Sequence, residues 1–197
     1  VLSHPYDEVL DPNGDGLMGS IEIPKLNLTL AIYHGLSTEV LEKGVGHVEG
    51  TSLPIGGAST HAVLAGHRGL PSAVLFTDLD KLEIGDEFYL HVLDEILAYK
   101  VDQIKVVEPN EFGDLEIIDG KDYCTLVTCT PYAINSHRLL VRGERDKQTK
   151  NQMQTGALTK RIVDVWPWLL GAFLVAVLIE SGIFFSILKR KKQDMEE

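Results

Sequence analysis

Cysteine is scarce in this chain: 197 residues hold two. That is too few for a disulfide-framed miniprotein. Basic residues are also in short supply, with 18 Lys and Arg against 29 Asp and Glu, so the net charge is -11. Binding nucleic acid needs basic surface to neutralise phosphates, and this balance argues against it. Low-complexity stretches are missing too. Hydrophobic residues make up 44% and charged residues 24%, which excludes a fully disordered chain. The length suits one domain with appendages. Val1 in place of Met leads us to expect that an N-terminal segment, with any signal peptide, has been removed.

One long hydrophobic run is present. Residues 165–188 contain a single charge, Glu180. As a helix this run would be roughly 36 Å long, enough to cross the ~30 Å hydrocarbon core. Its many Val, Leu, Ile and Phe residues, at about -0.3 to -0.6 kcal/mol each, outweigh roughly +3 kcal/mol for one Glu. Trp166 and Trp168 mark one interface, and Lys189, Arg190, Lys191 and Lys192 follow at the other end. The positive-inside rule puts that tail in the cytoplasm and the preceding domain outside. Residues 165–197 carry four basic and four acidic side chains, so the whole net charge falls on residues 1–164. The expected organisation is an N-terminal segment (1–19), a β domain (20–145), a polar linker (146–164), a transmembrane helix (165–188) and a basic tail (189–197).

Residues 20–145 read as mostly β. The run 21–33 alternates apolar and polar residues as one strand does. Residues 60–67 form a short apolar strand ended by His67-Arg68-Gly69. Segments 86–93 and 96–109 flank Asp94-Glu95, a hairpin signal. Residues 123–129 and 138–144 form a last pair. Helices look short: Ser37 or Thr38 would cap residues 38–43, with Gly44 as the stop, and Ser72 would cap a helix over 73–82. Many closely spaced strands favour a closed barrel, which leaves no exposed edge.

Cys124 and Cys129 share the strand 123–129. Five residues of strand separate their α-carbons by about 16 Å, whereas a disulfide needs less than about 7 Å. An odd separation also points them to opposite faces. Cys124 opens the strand and is expected to be packed. Cys129 closes it, where a strand meets the loop Thr130–His137 and a side chain can reach a cleft. If residues 138–144 pair antiparallel with this strand, Arg138 sits at the same sheet end. A thiol needs a base, or nearby positive charge, to become a good nucleophile. A guanidinium can donate two hydrogen bonds to an oxyanion. Cys129, a histidine and Arg138 in one cleft would therefore suffice for acyl transfer through a thioester. His67, at the end of another apolar strand, is the leading base. His137 is the runner-up, and His61 lies at the far end of the His67 strand. His4, His34, His47 and His91 read as surface or turn residues.

These motifs resemble those of the sortases. Residues 125–131 (TLVTCTP), an Arg nine residues after the Cys in 137–144 (HRLLVRGE), and 61–71 (HAVLAGHRGLP) carry the likeness. Residues 21–35 look like the first barrel strand of that family, and 44–57 like the stretch before its His. The C-terminal helix and the N-terminal Asp-Pro look like the class C, pilin-polymerising subgroup. The resemblance implies an eight-stranded β-barrel and a cysteine transpeptidase, a thiol-protease-like hydrolase without a cofactor. Cys129 would attack an LPXTG-like sorting signal, His67 would be general acid and base, and Arg138 would hold the carbonyl or oxyanion. Partners would be pilin subunits, one supplying an acceptor Lys, on the membrane of a Gram-positive bacterium. A housekeeping sortase that anchors proteins to cell-wall precursor is the alternative. A non-catalytic, membrane-tethered β-domain that binds calcium or a protein is a third reading. The family's Asp-Pro-aromatic lid would correspond to Asp11, Pro12 and Asn13. Asp11 would meet Arg138, and Asn13 departs from the aromatic. Thr128 would shape the cleft, and Arg142 would be an electrostatic neighbour of Arg138.

The same N-terminal stretch also fits a calcium loop, with Asp11, Asn13, Asp15, Gly16 and Glu22 at the matching positions. Pro12 and the strand-like surroundings of Glu22 instead favour a polar turn leading into the barrel.

Overall fold

The computed structural model describes residues 5–71 and 73–146, all within the unit Val1–Lys150. The membrane helix expected at 165–188, its tail, and the linker beyond Asp146 lie outside the described residues. Among the described residues no helix is long and apolar enough to cross a membrane.

Eight strands close into a barrel: β1 (Leu17–Ile23), β2 (Leu28–His34), β3 (Val45–His47), β4 (Thr60–Ala65), β5 (Glu87–Val92), β6 (Glu95–Val107), β7 (Asp122–Thr130) and β8 (His137–Arg145). Their order around the barrel is β1-β2-β3-β4-β7-β8-β6-β5, with β5 returning to β1. β2/β3 and β4/β7 are parallel and the other pairs antiparallel. A parallel pair needs a long crossover. The β4-to-β7 crossover contains the whole β5–β6 hairpin, and it brings two distant stretches of chain side by side.

The expected single strand over 21–33 is instead a hairpin. Pro24 opens a one-turn 3-10 helix, Pro24–Leu26, and Asn27 takes a left-handed conformation with φ 49°. Pro lacks an N–H for the ladder, and Asn tolerates positive φ. Ile23 therefore pairs with Leu28, and the chain doubles back. The Asp94-Glu95 signal is met, since Val92 pairs with Glu95 across a two-residue turn. The one α-helix among the described residues, α1 (Thr38–Lys43), matches its sequence signals. The Ser37 side chain accepts from the Val40 N–H, and Gly44 ends the helix. The helix expected over 73–82 does not form. Only a short 3-10 turn, Leu79–Lys81, is present. The Phe76 N–H is committed to the His67 carbonyl (3.0 Å), and Leu75 has φ 39°, so tertiary bonding replaces helical bonding there.

Inward residues of all the longer strands meet in one core, including Ile21, Ile32, Leu64, Leu90, Leu126 and Val141, each fully buried. Burying a side chain of this size is worth about 1.5–3 kcal/mol. Phe88 and Tyr99 stack inside it with ring centroids 5.5 Å apart. The Tyr99 hydroxyl donates to Asp122 at 2.9 Å, so the polar tip of this buried ring is satisfied.

Candidate active site

β7 lies between β4 and β8, and the site follows from its two registers. Val63, Thr125 and Arg142 stand side by side across the three strands, and Ala65, Val127 and Leu140 form the next row. Residues directly opposite each other share a face of the sheet. Two residues further along, Cys129 is paired with Arg138. β4 leaves the ladder after Ala65, but its register continues. Gly66 N–H donates to the Val127 carbonyl (3.1 Å), and the Thr128 hydroxyl donates to the Gly66 carbonyl (2.8 Å). Gly66 is thus level with Thr128, one residue before Cys129, and His67 follows Gly66 just past the last β4–β7 bond. Arg138 stands opposite Cys129 on the other neighbouring strand, about 4.8 Å across the ladder.

Local packing holds each member. Gly66 is required because a Cβ there would sit 2.8 Å from the Phe76 ring. The His67 carbonyl accepts from Phe76. Arg138 Nη1 donates to the carbonyls of Asn135 (3.3 Å) and His137 (3.0 Å), which turns the guanidinium along the end of the sheet. Cys124, on the opposite face of β7, is fully buried, and burial pushes its thiol well above the usual range. Both cysteines are free, and Cys129 is the partly exposed one. The sequence expectation of one packed and one accessible thiol is met.

A groove of about 540 Å³ lies on this face, with Arg138 among its lining residues. Its floor is Val63, Ala65, Val127 and Leu140. One wall is the segment after β6, with Pro109, Phe112 and Leu115, and Leu36 and Val48 line the other side. Sequence reading missed the groove, although a signal existed. β4 and β7 place the apolar Val63, Ala65 and Val127 on the face turned away from the core, which a barrel wall exposed to water does not need. His61 supports the floor. Its Nδ1–H donates to the Glu116 carbonyl (2.9 Å), leaving Nε2 to accept from Thr125 (2.7 Å). Burial pushes this imidazole below its ordinary value. Arg142 grips Asp102 with two hydrogen bonds, at 3.0 and 2.7 Å, beside a register shift in β6 that presents that carboxylate. It lies on the Arg138 face and its charge is spent there.

Other expectations are corrected. His137 is level with Thr130, so alternation turns it to the face away from Cys129. Its Nδ1 lies 2.8 Å from the Ser136 hydroxyl, and its Nε2 lies 3.3 Å from Glu108. His47 is no surface residue. It is fully buried on β3, with Nδ1 2.8 Å from the Tyr6 hydroxyl and Nε2–H donating to the Ser52 carbonyl at 2.9 Å. Asp11 does not meet Arg138. Its carboxylate accepts the Asp15 N–H at 3.0 Å. Pro12 and Asn13 line a small hollow with Leu30, His91 and Leu93 beside β1, β2 and β5, strands that do not border the site. The expected lid is instead the turn that feeds β1. Two residues of the calcium-loop pattern have protein partners. Asp15 accepts from Leu17 N–H (3.1 Å), and Glu22, on β1, binds His91 Nε2 at 2.9 Å.

Known proteins are similar to this chain in sequence and fold. The sortase-domain family model matches residues 21–146. Among curated relatives, sortase D of Bacillus subtilis is 30% identical over 130 residues, covering 64% of this chain and 63% of that protein. The chain thus spans just under two thirds of that relative. Solved neighbours include sortase C1 of Streptococcus agalactiae, 57% identical with TM-score 0.71, covering 72% of this chain and 73% of that one. The pilus-related sortase C of group B Streptococcus is 55% identical with TM-score 0.66, covering 67% and 68%. A family match over most of the barrel, a closed eight-stranded topology and close likeness to sortases C lead to one conclusion: the chain belongs to the sortase family, in its class C branch.

Proposed function

We propose that this chain is a membrane-anchored cysteine transpeptidase that cleaves an LPXTG-like sorting signal and joins pilin subunits. The observation that supports this reading is Cys129 paired with Arg138 across β7 and β8, with the β4–β7 register held as far as Gly66 and Thr128, the residues just before His67 and Cys129. The groove lined in part by Arg138 offers an apolar bed for an extended peptide.

In this reading the Cys129 thiolate attacks the Thr carbonyl of the signal. Arg138 donates to the oxygen as negative charge collects on it. His67 passes a proton to the departing Gly amine, the Thr–Gly bond breaks, and a thioester remains. An acceptor Lys amine then attacks the thioester, and His67 takes its proton. An isopeptide bond forms and the Cys129 thiolate is released. The pilin acceptor is favoured over a cell-wall precursor by the likeness to a pilus-related sortase C. The apolar run at 165–188 supports a membrane anchor, with the barrel outside the cell.

Incubation with an LPXTG peptide tests the reading. A covalent adduct should form on Cys129, seen by mass spectrometry, and Cys129→Ala should form none. A Lys-bearing pilin segment should convert the adduct into an isopeptide-linked product. A folded parent protein that yields no adduct would overturn the assignment.

A further inference from the structure

A second side-chain bridge crosses from the end of β4 to the end of β7. Arg68 Nη1 donates to the Thr130 hydroxyl at 3.3 Å, and Nη2 is ion-paired with Asp80. The bridge lies just beyond the last point of the β4–β7 register. Gly66 is level with Thr128, and Arg68 and Thr130 each lie two residues further along their own segments. The Thr128–Gly66 and Arg68–Thr130 bonds therefore bracket the reacting pair, one residue to each side. The backbone ladder has already ended at this point, since the His67 carbonyl is turned to Phe76.

The cost of this bridge argues for a purpose. The Arg68 side chain is 8% exposed, while Asp80 is 47% exposed. Arg68 Nε is buried and has no hydrogen-bond partner among the described residues. Burying a guanidinium costs several kcal/mol, and a half-exposed partner returns only part of it. An unpaired N–H adds a further cost. Packing alone would be served by an apolar side chain. The planar guanidinium, by contrast, spans two acceptors on different segments and fixes the distance between them. The loop Ala73–Asp80 is itself tied back, because Thr77 accepts from the Gly69 N–H at 3.0 Å.

We propose that Arg68, anchored by Asp80 and reaching Thr130, is a positioning residue that keeps His67 and Cys129 in register beyond the last backbone bond of the sheet. This rests on the functional reading above in so far as that pair does the chemistry.

Thr130 gives the cleanest test, because Val matches its shape without the acceptor and Ser keeps the acceptor without the shape. Two rates are measured: thiosulfonate labelling of Cys129, which needs no substrate, and acylation by an LPXTG peptide. Thr130→Val should slow both by roughly tenfold to a hundredfold, through kcat and not KM, because small misplacements of reacting groups have effects of that size. Thr130→Ser should keep both near the parent. Arg68→Lys retains the charge but cannot span Asp80 and Thr130, and it should match Thr130→Val. The double variant should be no slower than the slower single. The proposal fails if Val is tolerated, if Ser is as slow as Val, if the two losses multiply, or if the acylation loss lies in KM. A parent that labels but never acylates sinks the functional reading alone, and the labelling series still decides the role of Arg68.

Discussion

The Thr128 hydroxyl and the Gly66 carbonyl, 62 residues apart in sequence, share a buried 2.8 Å hydrogen bond between parallel strands. It ties the two chains one residue before His67 and Cys129. Thr128→Val preserves volume but leaves that carbonyl unpaired. We expect a loss of about 1–3 kcal/mol, measured by urea unfolding, together with slower labelling of Cys129. Thr128→Ser should lose much less. Equal stability of the Val variant and the parent would remove Thr128 from this role.

The two cysteines should react differently. Cys124 is fully buried and its thiol is held protonated by burial. A thiosulfonate reagent should add one equivalent to the native protein, on Cys129. Cys129→Ala should add none until denaturant exposes Cys124. Peptide mapping checks this, and labelling of Cys124 in the native state would contradict the burial.

Acid should weaken the fold through His47 and His61. Burial is the main cause holding both imidazoles below their ordinary 6.5. On acidification the unfolded chain therefore binds protons first. The contribution to stability is full above about pH 6.5 and falls as pH drops toward the folded-state values. The urea midpoint should be lower at pH 5 than at pH 7.5. His47→Gln and His61→Gln should each flatten the difference, and unchanged slopes in both would refute the linkage.

Asp11 should be silent in the chemistry. Its carboxylate closes a turn on the Asp15 N–H and stays on the β1 side of the barrel. Asp11→Ala should leave Cys129 labelling at the parent rate. A faster rate would restore the lid that the family resemblance suggested.

Much of this was legible without coordinates, because local rules govern it. Alternation marked the strands, Ser37 and Gly44 bounded α1, and the odd spacing of Cys124 and Cys129 put them on opposite faces. The Cys129–Arg138 pair was legible too, since an antiparallel neighbour close in sequence has few alternative registers. The hairpin at Pro24–Asn27 was missed although its signals were present, because alternation continued straight through it.

What sequence could not supply was the choice of distant neighbours. That β4 lies parallel beside β7 depends on barrel closure, a property of all eight strands together. From that placement come the Gly66–Thr128 bond just before His67 and Cys129, the groove and the reach of Arg68 to Thr130. The position of Asp11 was decided in the same way, by the strand its turn feeds. Sequence determined the elements and the chemistry they carry. Tertiary structure decided which side chains meet, because contact between remote segments is set by shared burial and by no local periodicity.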